Sequence, residues 1–140
     1  MLHFNGCCGL TDLAWTARLE ALIGLYVEKC TGLVDFSFLG GFETLDGLDL
    51  SHTSIVDIDI LGQCKELTTL VLTGCTGVTD VSCLGQCKKL TELDLDGSRF
   101  DRRGEESRII KKPLVPHALD VSRVVGPRVL RHLHRRLVPA

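Results

Sequence analysis

Aromatic residues are scarce in this chain of 140 residues: it has one tryptophan, one tyrosine and five phenylalanines, and a single methionine. An aromatic-cored globule is therefore excluded, and the 24 leucines have to build an aliphatic core instead. Proline is absent before Pro113, so it interrupts no element over the first four fifths of the chain. No apolar run approaches the roughly 18 residues of a membrane span. Base is also scarce at first. Residues 1–98 carry 5 Lys and Arg against 14 Asp and Glu, a net −9, whereas residues 99–140 carry 11 against 4, a net +7. The overall −2 hides this division.

The chain also lacks a phosphate loop, a G-x-G-x-x-G turn and a nucleophile elbow. Its seven cysteines are odd in number, no hydrophobic leader opens the sequence, and no C-x-x-C knuckle appears. That argues against a secreted disulfide scaffold and against structural zinc, and sets the expectation of a reducing compartment, cytoplasmic or nuclear. His52 has no cysteine placed to act with it as a nucleophile, and His132 and His134 are two apart, so they form no ligand pair on a helix. We expect no enzyme, no cofactor and no metal.

What is present is a repeat of 22 to 23 residues. Leu22, Leu45, Leu67 and Leu90 open it; Leu25, Leu48, Leu70 and Leu93 follow three later, and Val27, Leu50, Leu72 and Leu95 two after that. Leu2 and Phe4 extend the last two columns upstream. The spacing L-x-x-L-x-L ends in strand-like alternation, which turns the leucine pair inward and its neighbours outward. So short a period suits a coil that returns along a convex back and starts a parallel strand beside the last one. One coil cannot offset its own ordering entropy, so the coils have to stack. Further apolar columns fix the phase: Leu10, Leu33, Ile55 and Val78; Leu13, Phe36, Ile58 and Val81; Trp15, Phe38, Ile60 and Cys83; Leu19, Phe42, Cys64 and Cys87. Asp12, Asp35, Asp57 and Asp80 share another column, placed to accept backbone N–H groups at the turn into the back.

The strings LTTLVLTGCTGVTDVSCL and LDGLDLSHTSIVDIDIL resemble the leucine-rich repeat in its short 22-residue class, as in internalins, and TGCTGVTDVSCLGQCKKL is similar to cysteine-containing repeats of kinetoplastid proteins and of ubiquitin-ligase adaptors. The resemblance covers residues 2–98 and implies an α/β leucine-rich-repeat solenoid with strands on the concave side and irregular or 3₁₀ backs. It also implies a protein-binding role. Substrate recognition in a ubiquitin-ligase assembly is the alternative, with no F-box-like or RING-like segment present. A truncated array without independent function is the other, since the chain opens inside a repeat. Where the family carries asparagine, this chain has Cys7, Cys30, Thr53, Cys75 and Ser98, all small donors able to continue an inter-coil ladder. Cys8 reads as the one loop-exposed thiol.

Outward positions of the strands are where binding belongs. The central column is His3, Tyr26, Asp49, Val71 and Asp94; the next is Asn5, Glu28, Ser51, Thr73 and Asp96; the preceding flank is aligned as Ile23, Asp46, Thr68 and Glu92. Together with His52 beside its strand, the partner-binding set reads Tyr26, Glu28, Asp46, Asp49, His52, Val71, Thr73, Glu92, Asp94 and Asp96. Acid dominates it, which favours a basic protein segment as partner, with Tyr26 as an aromatic anchor.

The period stops after Ser98, dividing the chain into a solenoid (1–98) and a basic tail (99–140). HALDVSRVV (117–125) and RVLRHLHRRL (128–137) read as short helices between prolines. The tail is expected to cap the solenoid or stay disordered. Nucleic-acid binding is disfavoured, since only Phe100 is available to stack on bases.

Overall fold

A computed structural model describes residues 1–98 and the backbone of 110–111. Five short parallel strands follow one another in chain order, each one coil from the last: β1 (Leu2–His3), β2 (Gly24–Tyr26), β3 (Gly47–Asp49), β4 (Thr69–Val71) and β5 (Glu92–Asp94). The leucine columns stay in register, with Leu25 beside Leu48, Leu48 beside Leu70 and Leu70 beside Leu93. Between strands the chain returns through four five-residue 3₁₀ turns: Ala14–Arg18, Ser37–Gly41, Asp59–Gln63 and Ser82–Gln86. The result is the leucine-rich-repeat solenoid, an open parallel sheet backed by 3₁₀ turns around one aliphatic core. A sixth strand, β6 (Ile110–Lys111), pairs antiparallel with β5. The helices expected over 117–125 and 128–137, like most of the expected tail, lie outside the described residues.

The aspartate column explains why each coil turns where it does. Asp12, Asp35, Asp57 and Asp80 each accept, through Oδ1, the backbone N–H two residues on, at 2.7–2.9 Å. These Asx-turns hold the chain at the entry to each 3₁₀ segment and occupy N–H groups that the short helix leaves unpaired. At Asp35 the bonds from Ser37 hold the carboxyl below its ordinary range.

The cysteines do more than fill space. Cys30 donates its S–H to the Phe4 carbonyl and Cys75 to the Leu50 carbonyl, each one coil back, as the ladder reading expects. Three cysteines on the 3₁₀ side repeat the bond: Cys64 to Leu39, Cys83 to Ile58 and Cys87 to Leu61. Burial pushes the thiols up, to about 11 at Cys64 and about 12 at Cys83. Thr53 departs from the ladder: its hydroxyl donates within its own coil, to the Leu50 carbonyl at 2.7 Å.

The first coil also departs from the repeat's phase. Trp15 and Leu19 share columns with residues buried in later coils, yet they are 49% and 37% exposed. Cys7 joins Cys8 at the surface instead of being shielded with Cys30 and Cys75. The reason is positional: β1 has a strand on one side only, whereas the inner coils are covered on both.

Candidate interaction face

Alternation along the strands puts three rows on the side of the sheet away from the core. The first is Gly24, Gly47, Thr69 and Glu92; the second is Tyr26, Asp49, Val71 and Asp94. The third holds Glu28, Ser51, Thr73 and Asp96, where parallel pairing continues through bonds such as His52 N–H to Thr73 O (2.8 Å) and Gly74 N–H to Asp96 O (2.7 Å). The register corrects one sequence alignment. Thr68 N–H and Thr91 N–H donate to Asp46 O and Thr68 O, so Thr91, not Glu92, continues the Asp46 flank, and Glu92 stands one row further in.

This shift gives the face a direction. Glu92 and Asp94 on β5 and Asp96 in the turn just after it occupy all three rows, so one coil presents three carboxylates in a line. At the other end, β2 and β3 have glycine where β5 has Glu92. The Tyr26 ring uses that space. A Cβ on Gly24 would come within 3.1 Å of the ring, and one on Gly47 within 3.1 Å of the Tyr26 hydroxyl. His3 stacks on the same ring, centroids 4.5 Å apart and planes 5° from parallel. The glycines are therefore part of the site. Sequence reasoning passed over them, although Gly24 and Gly47 are 23 apart, the spacing of the repeat.

The carboxylates are held in place. Asp49 accepts both the backbone N–H (2.8 Å) and the hydroxyl of Ser51, and Asp94 accepts the backbone N–H of Asp96 (2.9 Å). Asp46 takes the Thr68 hydroxyl. In each case the bonds go to Oδ1. Ser51 is buried, its side chain turned onto Asp49.

Of the ten residues in the sequence-derived set, Asp46 and His52 are exposed and the other eight half-buried. All ten lie on or beside this face. At its far edge Lys29 pairs with Glu28 at 2.8 Å, which lowers the Glu28 carboxyl and raises the Lys29 ammonium. Lys29 (φ 60°) and His52 (φ 54°) occupy the left-handed backbone position that Gly6, Gly74 and Gly97 take in other coils. The phase shared with those glycines is a signal that sequence reasoning left unused. A Cβ on Gly74 would come within 2.3 Å of the His52 ring, so Gly74 makes room for that imidazole.

A groove of about 360 Å³ lies on the flank between the second and third coils, lined mainly by Val34, Phe36, Ser54, Ile55, Val56 and Ile60. Val34 and Val56 are 75% and 62% exposed there.

Comparison with known proteins agrees with this architecture. Residues 43–84 match the family model described as leucine-rich repeats in two copies. No curated protein matches the chain. Among solved structures, internalin C2 of Listeria monocytogenes is similar at 26% identity with a TM-score of 0.60, over 64% of this chain and 38% of that one. The internalin InlF of the same organism is similar in fold, at 24% identity and a TM-score of 0.58, over 64% of this chain and 26% of the other. The chain thus spans well under half the length of either.

Proposed function

The chain is a leucine-rich repeat protein, and from that premise we propose that it binds another protein through its strand face, with the acidic end taking a basic segment of the partner. Leucine-rich-repeat domains generally mediate protein–protein interaction, and such folds are typically not enzymes. The observation that carries the finer reading is the line of Glu92 and Asp94 on β5 and Asp96 just after it, with Asp49 and Asp46 two strands away across the uncharged β4. Like charges set at strand spacing attract a segment of opposite sign and orient it before contact. Tyr26 and Val71 supply the apolar contact that gives such an encounter a lifetime. Binding of the partner is proposed to take place in a reducing compartment, cytoplasmic or nuclear, where the free thiols persist.

The test uses a fluorescent oligo-arginine peptide and the full chain. Asp49→Lys with Asp94→Lys is expected to weaken binding by about tenfold or more, on the scale of truncating buried charge pairs at interfaces. Glu20→Lys with Glu43→Lys changes net charge equally but lies off the face, and should weaken it far less. Equal losses in the two variants would reduce the effect to net charge and defeat the proposal.

A further inference from the structure

We propose that the C-terminal segment 112–140 docks in cis on the acidic end of the strand face, as an internal competitor for the partner's basic segment. This rests on the reading of that face given above and goes beyond it by naming an occupant within the chain.

Three observations support it. The first is delivery. β6 pairs antiparallel with β5, Ile110 beside Leu93 and Lys111 beside Glu92. Running in that direction, the chain leaves the sheet at the edge that carries Asp46, Thr68 and Thr91, next to the coil with three outward carboxylates. The second is charge. Residues 112–140 contain six Lys and Arg and one Asp, and Arg128, Arg131, Arg135 and Arg136 fall close together near the end. The strand face carries the opposite charge, with Lys29 at its margin. The third is reach. From β5 to β2 is three inter-strand steps, about 14 Å. Segment 112–140 has 29 residues, and a chain of that length can extend to roughly 95 Å, so its contour is long enough to cover the face.

A tethered segment competes at an effective concentration on the order of millimolar. A weak electrostatic contact is then enough to occupy the face and raise the partner's apparent Kd. The competition should fade with salt as the Debye length shrinks.

The experiment compares three full-length proteins. One is wild type. One carries Arg128→Gln, Arg131→Gln, Arg135→Gln and Arg136→Gln. The third carries Arg18→Gln, Lys65→Gln, Lys88→Gln and Lys89→Gln, which removes as much positive charge from outside the tail and the face. Binding of the oligo-arginine peptide is measured at about 50 mM salt, and amide spectra are recorded without peptide. The tail variant is expected to bind about tenfold more tightly than wild type and the control within about twofold. Amides of Asp49, Val71 and Asp94 should shift between wild type and the tail variant at about 50 mM salt, and coincide at about 500 mM. Equal tightening in both variants, no amide difference, or a difference that grows with protein concentration would each overturn docking in cis. If the amides shift as expected but no protein binds the peptide, docking stands and the partner-binding reading fails.

Discussion

On the back of the solenoid the residue two positions ahead of each 3₁₀ turn is Asp12, Asp35, Asp57 or Asp80, and each makes the same Asx-turn. On the strand face the residues that share one row are Tyr26, Asp49, Val71 and Asp94, an aromatic, an aliphatic and two carboxylates. Both sides carry the same period. The back has to bring every coil onto the previous one at the same angle, so its turn chemistry and its S–H to carbonyl bonds recur. The face has only to keep the backbone in register, so its outward side chains are free to build a surface.

Three substitutions or conditions break or sharpen that contrast. The largest effect belongs to the core between face and back: Leu70→Ala, at a side chain with no exposure, should cost about 2–5 kcal/mol in denaturant unfolding. A loss below about 1 kcal/mol would mean the coils collapse around the gap instead of holding a fixed stack.

Alkaline pH comes next and acts on the interior cysteines. Cys64 and Cys83 hold their protons to about 11 and about 12 when folded, against an ordinary value near 9. The unfolded chain therefore loses these protons first, so the stabilisation is full below about pH 9 and falls as pH rises. By pH 11 each thiol should remove roughly 2 kcal/mol. Unfolding free energy measured from pH 8 to 11 should fall accordingly, and Cys64→Ala with Cys83→Ala should flatten the slope.

The smallest effect lies at the edge of the face. His52→Gly relieves a left-handed residue and should stabilise the fold by about 1 kcal/mol, whereas His52→Ala should not. A gain in melting temperature for both variants would trace the effect to the imidazole over Gly74 and not to the backbone.

The core was legible from Leu22 to Leu95 because strand alternation and a fixed period leave an inward leucine only one place to go. The Asx-turns were legible because aspartate at constant phase has one short-range use. The exposure of Trp15, Leu19 and Cys7 was not, since it follows from coverage by neighbouring coils and not from local chemistry. At the site, the acidic residues were visible as outward positions. The placement of Glu92 was legible too, since Thr91 follows Leu90 as Thr68 follows Leu67, but the flank alignment overlooked that spacing and the hydrogen-bond ladder corrects it.

Period, strand direction and the separation of an acidic body from a basic tail were determined by the sequence alone, because each is a matter of which residue types recur at which spacing. The tertiary structure decided how rows on different coils line up. It bedded Tyr26 over Gly24 and Gly47, set three carboxylates at the opposite end of the face from that aromatic, and paired Ile110–Lys111 with β5. Tyr26 and Gly47 are 21 positions apart and Leu93 and Ile110 are 17, and such relations exist only once stacking has fixed the distance between coils.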